Sequence, residues 1–438
     1  MTSPSLWRSG NFLRFWSGQG ISQLGTQLGL LAMPVLAVGL LNASEFDVGL
    51  LGAAGTIAFL VVGLPAGAWV DRWRKRRVMI AADAVRAVAM LAIPVLWWSG
   101  LLHIWQLYLV ALVVGVATVF FDVSYQSVIP FLVERSQVPD ANSRLEGTAQ
   151  VARVAGPSLG GAVLTVLSAP VLFVAESLGY TVSALCLWRV RVREDRHPVE
   201  QRRSLGVEIR EGLAYVLHQP LLRRIVLTVA GANFCGNITG TLIPILLLRE
   251  LNLGAVGLGI VLSVGSVGGV LGAVAVPHLA RWMGEGRLIP VAAICWSVAA
   301  LGVPLAAALP TVFWQMSLLI AVEFVSSFAI LAFNVMQVSM RQRICPPALL
   351  GRMNASIRFM VFGVIPLGAL LAGVLGTLLG AVPAIWIGAL AGLLTPLAVV
   401  FSPLLRMRTL PDSSTPDSSP AGPSTADPGE AQPADQPL

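Results

Sequence analysis

Runs of apolar residues long enough to cross a bilayer recur from residue 12 to residue 405, separated by short gaps that hold most of the charge. A crossing helix needs about 20 such residues. In hydrocarbon every backbone N–H and C=O must find its partner inside the segment, so runs of this length have to be α-helical. They fall at 12–41, 47–70, 78–98, 104–132, 145–168 and 170–190, then at 223–249, 255–280, 288–309, 311–340, 353–379 and 381–405. The pattern predicts an all-α integral membrane bundle of twelve transmembrane helices with both termini on one side. The narrowest divisions are 168–170 and 310–311, where a tight turn must separate adjacent helices.

Charged residues make up 12% of the chain, against roughly a quarter in a soluble domain. That is too few for a water-soluble surface, and the chain does not read as an enzyme. The net charge of +7 would suit nucleic acid only if the basic residues shared one exposed face. Instead they cluster in alternate gaps: Arg72, Arg74, Lys75, Arg76 and Arg77; Arg135 and Arg144; Arg189 to Arg203; Arg341, Arg343 and Arg352. The intervening gaps, such as 42–47 and 99–103, carry almost none. By the positive-inside rule the arginine gaps and both termini are cytoplasmic, at a bacterial inner membrane. Arg249 is the exception, and its neighbour Glu250 offers a local partner. Four scattered cysteines and four scattered histidines make no metal or disulfide framework. There is no G-x-x-x-x-G-K-[ST] nucleotide loop. Residues 1–14 lack the features of a cleaved signal, so the first span is expected to be retained.

The polar stretch 191–222 divides the runs six and six. This predicts an N-terminal half over 1–190, a cytoplasmic linker over 191–222, a C-terminal half over 223–408, and a disordered Pro/Ser/Ala/Asp-rich tail over 409–438. An internal repeat supports the division. Arg72-Trp73 recurs as Arg281-Trp282 and Pro157 as Pro366, each 209 positions on, while Pro34 recurs as Pro244 at 210 and Val48-Gly49-Leu50 as Val256-Gly257-Leu258 at 208. Several landmarks in order favour duplication. Two parallel six-helix repeats are a transporter architecture.

The gap after the second run reads Gly67-Ala68-Trp69-Val70-Asp71-Arg72-Trp73-Arg74-Lys75-Arg76. A carboxylate at a helix end can sit on the positive N-terminus of a neighbouring helix or pair with arginine. The segment resembles the major facilitator superfamily, whose loop there carries G-x-L-a-D-R-x-G-R-[KR]. Gly67, Asp71, Arg72, Lys75 and Arg76 match, whereas Trp69 stands for Leu and Arg74 for the second Gly. The resemblance implies a conformational latch in which Asp71 meets the start of helix eleven near Gly351-Arg352. Ala280 occupies the equivalent place in the second half, so the latch is one-sided. Gly147, Gly156, Pro157, Gly160 and Gly161 resemble the family's exporter motif, with Ala152 replacing its middle glycine. Close helix packing is the competing reading of those glycines. Phe121 to Pro130, Ala141-Asn142, Pro346 to Met353, Asn11 to Trp16 and Ser22 to Gly25 are similar to the branch of enterobactin-exporter and macrolide-efflux proteins. The likeness covers about 7–405.

Charges inside the spans are costly, by a few kcal/mol or more, and so are candidates for function. They are Asp83, Arg86, Asp122, Glu146, Arg153, Glu176, Glu323 and Arg358. Asp83 and Arg86 lie three apart on one helical face, which predicts a structural pair. Depth at 1.5 Å per residue puts Arg153 and Glu323 nearest the midplane and Asp122 in the cytoplasmic half. Glu176 falls towards the outer end. The family resemblance implies that helices one, four, seven and ten line the cavity. Polar residues do repeat there at helical spacing: Gln19, Gln23 and Gln27; Asn233 and Asn237; Glu323 and Ser327. Interhelical glue is the competing reading of the amides. Asp122, Glu323 and Arg153 are the proton- or substrate-coupling candidates. The expected function is proton-driven efflux of a small amphipathic compound such as a drug, siderophore or natural product. No cofactor is expected beyond the proton gradient. The expected partners are the small-molecule substrate and the lipid bilayer, with no nucleic acid and no nucleotide, and the chain acts as a monomer. An importer or lipid flippase is the alternative within transport. A non-transporting membrane sensor is the alternative outside it.

Overall fold

The computed structural model describes residues 6, 9–134, 137–191, 205–345 and 349–408. The disorder expected of 409–438 and residues 192–204 of the linker lie outside the described residues. The described elements are helical throughout, without a strand among them.

The first half begins with α1 (Gly10–Pro34), which runs into a π-helical turn (Val35–Leu40). Then come α2 (Glu45–Val61) and α3 (Gly63–Arg72), a single path broken at Val62, followed by α4 (Lys75–Trp98), α5 (Ile104–Val128), α6 (Val138–Val163) and α7 (Ala169–Arg189). A linker helix, α8 (Leu205–His218), leads to α9 (Pro220–Ile245) with its own π-turn (Leu246–Glu250). The second half continues with α10 (Gly254–Met283), α11 (Glu285–Ala300), α12 (Gly302–Leu305), α13 (Val312–Ile344), α14 (Leu350–Phe362), α15 (Ile365–Leu379), α16 (Ala381–Gly392) and α17 (Leu397–Val400).

Among the described residues, ten helical stretches are long and apolar enough to cross a membrane. The other two of the twelve sequence runs correspond to the α2–α3 path and to α6. The latter is more polar because Asp140, Arg144, Glu146 and Arg153 lie along it. It also starts at Val138, ahead of the apolar run at 145, because a helix end in contact with water can extend through polar turns.

The two halves repeat in backbone detail. Pro34 and Pro244 each precede a π-turn, and each turn ends at a left-handed asparagine, Asn42 with φ 51° and Asn252 with φ 53°. Asparagine is among the few side-chain-bearing residues that occupy this region readily.

Helices pack within each half: α1 on α6 and α7, α4 on α5 and α7, and α2 on α5; then α13 on α10 and α11, and α9 on α15 and α16. The halves meet along α2–α15 and α6–α10. The end of the bundle holding Asn42 and Asn252 is the arginine-poor end. There a single buried apolar cluster joins both halves, with Leu36, Val48 and Phe173 continuous with Leu242, Leu258 and Ala372. Towards the arginine-rich end the buried apolar side chains split by half. Phe12, Met79 and Phe121 belong to one cluster, Ile225, Ile289 and Phe333 to another, and Leu222 and Met353 to a third. The bundle is therefore sealed at one end and divided at the other.

Candidate functional site

The seal is made by backbone meeting backbone. A Cβ placed on Gly49 of α2 would lie 2.6 Å from Gly373 Cα and 2.7 Å from the Ala369 carbonyl of α15. On the other flank a Cβ on Gly259 of α10 would lie 2.6 Å from the Pro157 carbonyl of α6, and one on Gly161 would lie 3.5 Å from Gly259 Cα. Small residues permit this approach, and dispersion over the whole contact holds it.

Arg249 closes the same end. It reaches Glu45 at 3.4 Å and donates to the Ala43 carbonyl at 2.8 Å, so its partner is in the other half. Sequence proximity to Glu250 misleads here because the π-turn carries Arg249 over the seam between the halves. The pair is partly exposed, at 37% and 23%, so its worth is below about 1 kcal/mol. Arg249→Ala is accordingly expected to open this end by no more than about fivefold. The check is thiol labelling of a single cysteine placed at Gly52 in a cysteine-free background. Charge reversal of both partners should restore the ion pair but not the bond to the Ala43 carbonyl, so recovery is expected to be partial.

The exporter-like glycines divide by contact. A Cβ on Gly156 would run into Gln27 of α1, and one on Gly160 would come within 2.9 Å of Leu31, whereas Gly147 faces nothing within 4 Å. Gly161 and Pro157 serve the seam with α10. The motif brings α6 against α1 and the opposite half at once.

The polar groups between the halves sit towards the divided end. Asp122 and Gln126 are one turn apart on α5, and Arg358 of α14 donates to Gln126 Oε1 at 3.4 Å across the seam. Asp122 is within the field of Arg86 in its own half and Arg358 in the other. Phe59 of α2 and Phe362 of α14 stack at 5.9 Å beside them. Asn233 donates to the Val361 carbonyl at 2.9 Å, where the helix breaks between α14 and α15, and Asn237 donates to the Asn233 carbonyl at 2.8 Å. The first of these amides satisfies backbone at the break, as polar side chains do at interrupted spans. Glu323 lies with its stem on Gly265 of α10 and is 3.4 Å from Ser327. Gln19 is buried, Gln23 and Gln27 are half-buried, and Arg153 is exposed on α6.

Among the loop residues of the expected latch, the side chains of Lys75 and Arg76 are described. Arg76 donates to the Leu187 carbonyl at 2.8 Å and to that of Trp188, capping the end of α7 in its own half. Lys75 stands 5.7 Å from the centre of the Phe131 ring. The side chains of Gly67, Asp71, Arg72, Gly351 and Arg352 lie outside the described residues. Asp83 and Arg86 pair directly, both buried. Glu176, placed towards an outer end by its sequence position, is 2% exposed in the interior of the first half.

Sequence reasoning assigned no role to Glu45 or Gln126 and no cross-half partner to Arg249 or Arg358. One legible sign was available: Asn42 and Asn252 share the 210-residue offset of Pro34 and Pro244, which marks both loops as copies of one feature of the duplicated unit.

The family model described as Major Facilitator Superfamily matches residues 15–365. The chain is 26% identical over 377 residues to the multidrug efflux pump Tap of Mycolicibacterium fortuitum, covering 83% of this chain and 89% of that protein. It is 21% identical over 209 residues to macrolide efflux protein A of Streptococcus pyogenes, covering 48% of this chain and 51% of that protein. Among solved structures, a bacterial homologue of the iron transporter ferroportin in its inward-facing state aligns with a TM-score of 0.70 at 16% identity, covering 91% of this chain and 99% of the other. The outward-facing state of a bacterial ferroportin homologue aligns at 0.58 and 16% identity, over 89% and 98%.

Proposed function

Since the chain belongs to the Major Facilitator Superfamily and is a transporter rather than an enzyme, we propose that it exports a small amphipathic compound from the cytoplasm in exchange for protons. The observation that carries this reading is the asymmetry of the bundle. One apolar cluster joins the halves at the arginine-poor end, and separate clusters divide them at the arginine-rich end. The positive-inside rule makes the divided end cytoplasmic, so the conformation is inward-facing and ready to load from that side. The higher TM-score against the inward-facing ferroportin homologue supports the same assignment.

Substrate binds between Asp122, Gln126 and Arg358, with the Phe59–Phe362 stack offering an apolar wall to its ring or chain. A cavity that combines aromatic surface with a few fixed polar groups suits an amphipathic molecule. The likeness to a multidrug efflux pump and a macrolide efflux protein supports a drug-like cargo. Protonation removes a carboxylate charge whose burial is costly, and so favours the state in which the group is enclosed. Rocking about the glycine seams then exposes the cargo to the other side.

The test is uptake of a panel of fluorescent amphipathic dyes into energised, everted vesicles, whose outer face is the cytoplasmic one. Uphill movement should stop when a protonophore collapses the gradient, and persistence at the full rate overturns proton coupling. Asp122→Asn is expected to lower kcat/KM at least tenfold, a loss of about 1.4 kcal/mol of coupling or binding. Normal export by that variant removes Asp122 from the pathway.

A further inference from the structure

We propose that Glu176 is an enclosed proton-binding site in the core of the first half, apart from the substrate cavity, and that it communicates with the cavity through Arg86. This inference deepens the exporter reading and rests on it for its role in coupling, though not for the presence of the proton.

Four helices converge on the site. From α4 come Asp83, 0% exposed, and Arg86, 5% exposed and bonded to Asp83. The Arg86 guanidinium stands 4.2 Å from the centre of the Phe121 ring of α5 and 4.4 Å from that of Tyr180 of α7. Glu176, also on α7, accepts from the Tyr180 hydroxyl at 3.0 Å through Oε1. Its Oε2 has no hydrogen-bond partner, and the carboxyl rests on the backbone of α1 at Gly29, where a Cβ would occupy the same space. The Tyr180 hydroxyl lies 3.0 Å from Thr26 Oγ1 on α1. The titratable and charged groups facing Glu176 are thus Tyr180 on its own helix and Asp83 and Arg86 on α4. The part of α1 against it offers Thr26, Gly25 and Gly29 only, since Arg14, the one charged residue of that helix, bonds the Arg189 carbonyl at the far end. Asp122 and Tyr125 follow on α5, behind Phe121.

Charge balance picks out the proton. With both carboxylates ionised, this interior holds two negative charges and one positive, and an uncompensated buried charge is costly. Asp83 already has the guanidinium. Each carboxyl has one oxygen without a partner, Asp83 Oδ2 and Glu176 Oε2, but only Asp83 is ion-paired, so it is a proton on Glu176 that neutralises the site. Arg86 is the shared element: it bonds Asp83, stands over the Tyr180 ring whose hydroxyl holds Glu176, and stands over the ring of Phe121, the residue next to Asp122. When Glu176 is protonated, Arg86 is left to Asp83 and to Asp122 at the cavity. When the proton leaves, Arg86 is drawn towards Glu176 and its hold on Asp122 weakens. A proton on one side of the helix layer thereby alters the cavity carboxylate on the other. Glu176 is a positioning residue in this scheme and does not touch substrate.

The experiment is infrared difference spectroscopy of the purified full-length protein in lipid nanodiscs, wild type against Glu176→Gln, near neutral pH and in light and heavy water. The expected result is a protonated-carboxyl C=O band, shifted by deuterium, that is lost in E176Q and kept in Glu146→Gln, whose side chain is exposed. An unchanged band in E176Q overturns the proposal. Glutamine matches the shape of the protonated acid, so the variant should fold. Tyr180→Phe, which leaves Glu176 in place, is expected to move the band by removing the donor to Oε1, and a band that does not move also overturns it. In proteoliposomes, E176Q should still equilibrate ethidium downhill but lose the acceleration produced by an acid-outside gradient. Retained acceleration refutes the coupling role. If the wild type moves no ethidium, the exporter reading fails for that cargo, while the spectra still decide whether Glu176 holds the proton.

Discussion

Gly49→Leu is expected to abolish export while leaving the protein folded and inserted. The new Cβ alone would stand 2.6 Å from Gly373 Cα and 2.7 Å from the Ala369 carbonyl, inside the 3.4–4 Å of ordinary contact, and the atoms it meets are backbone. No rotamer change relieves that. Overpacking of this kind costs about 1–3 kcal/mol, and the rest of the leucine adds to it. The cost falls only on the state in which the halves touch at this end, because the opposing atoms belong to the other half. Each 1.4 kcal/mol moves a two-state equilibrium tenfold, so the closed state should be depleted by about ten- to a hundredfold. Spin-label distances across the arginine-poor end should lengthen, and vesicle efflux should fall to background. Gly147→Ala is the contrast: its Cβ meets nothing within 4 Å, and alanine is the better helix former by about 1 kcal/mol. It should export normally. Wild-type efflux from Gly49→Leu would show that the seam does not govern the cycle.

The second large effect is on stability. Arg86→Met removes the cation that two enclosed carboxylates share, and breaking a buried pair from one side costs about 3–5 kcal/mol. A loss of that size is a large part of a folded protein's margin, so the variant is expected to give little monodisperse protein and a markedly lower Tm in detergent. Combining it with Asp83→Asn removes the stranded charge as well and should recover a substantial part of the loss. A single variant as stable as wild type would mean that the carboxylates find compensation elsewhere. The double variant makes the test specific, because a purely steric defect at position 86 would not be repaired from position 83.

These two effects have different standing in the sequence. The Asp83–Arg86 pair is legible from spacing, since three residues on a helix bring side chains together whatever surrounds them. The Gly49 contact is half legible. The Val48-Gly49-Leu50 triplet flags a repeat, but nothing local says that Gly373 lies opposite. Arg249 shows the opposite failure, because its nearest acid in sequence is Glu250 and its partner is Glu45, 204 positions away. Arg76 reads as part of a latch motif, and its bond to the end of α7 within its own half has no sign in the sequence. The enclosure of Glu176 is not legible at all, because depth along a helix axis carries no information about which face points inward.

The sequence by itself determined that this chain is a helical membrane bundle in two related halves. Hydrocarbon leaves an apolar run of about 20 residues one way to satisfy its backbone, and duplication leaves its offset in the landmarks. Tertiary structure alone decided which residues face one another across the seams. That pairing follows from how closely glycine-bearing helices approach and in what register, a property of two surfaces together and of neither segment alone. The sealed end, the Arg358–Gln126 contact and the shared guanidinium at Arg86 all come from that register.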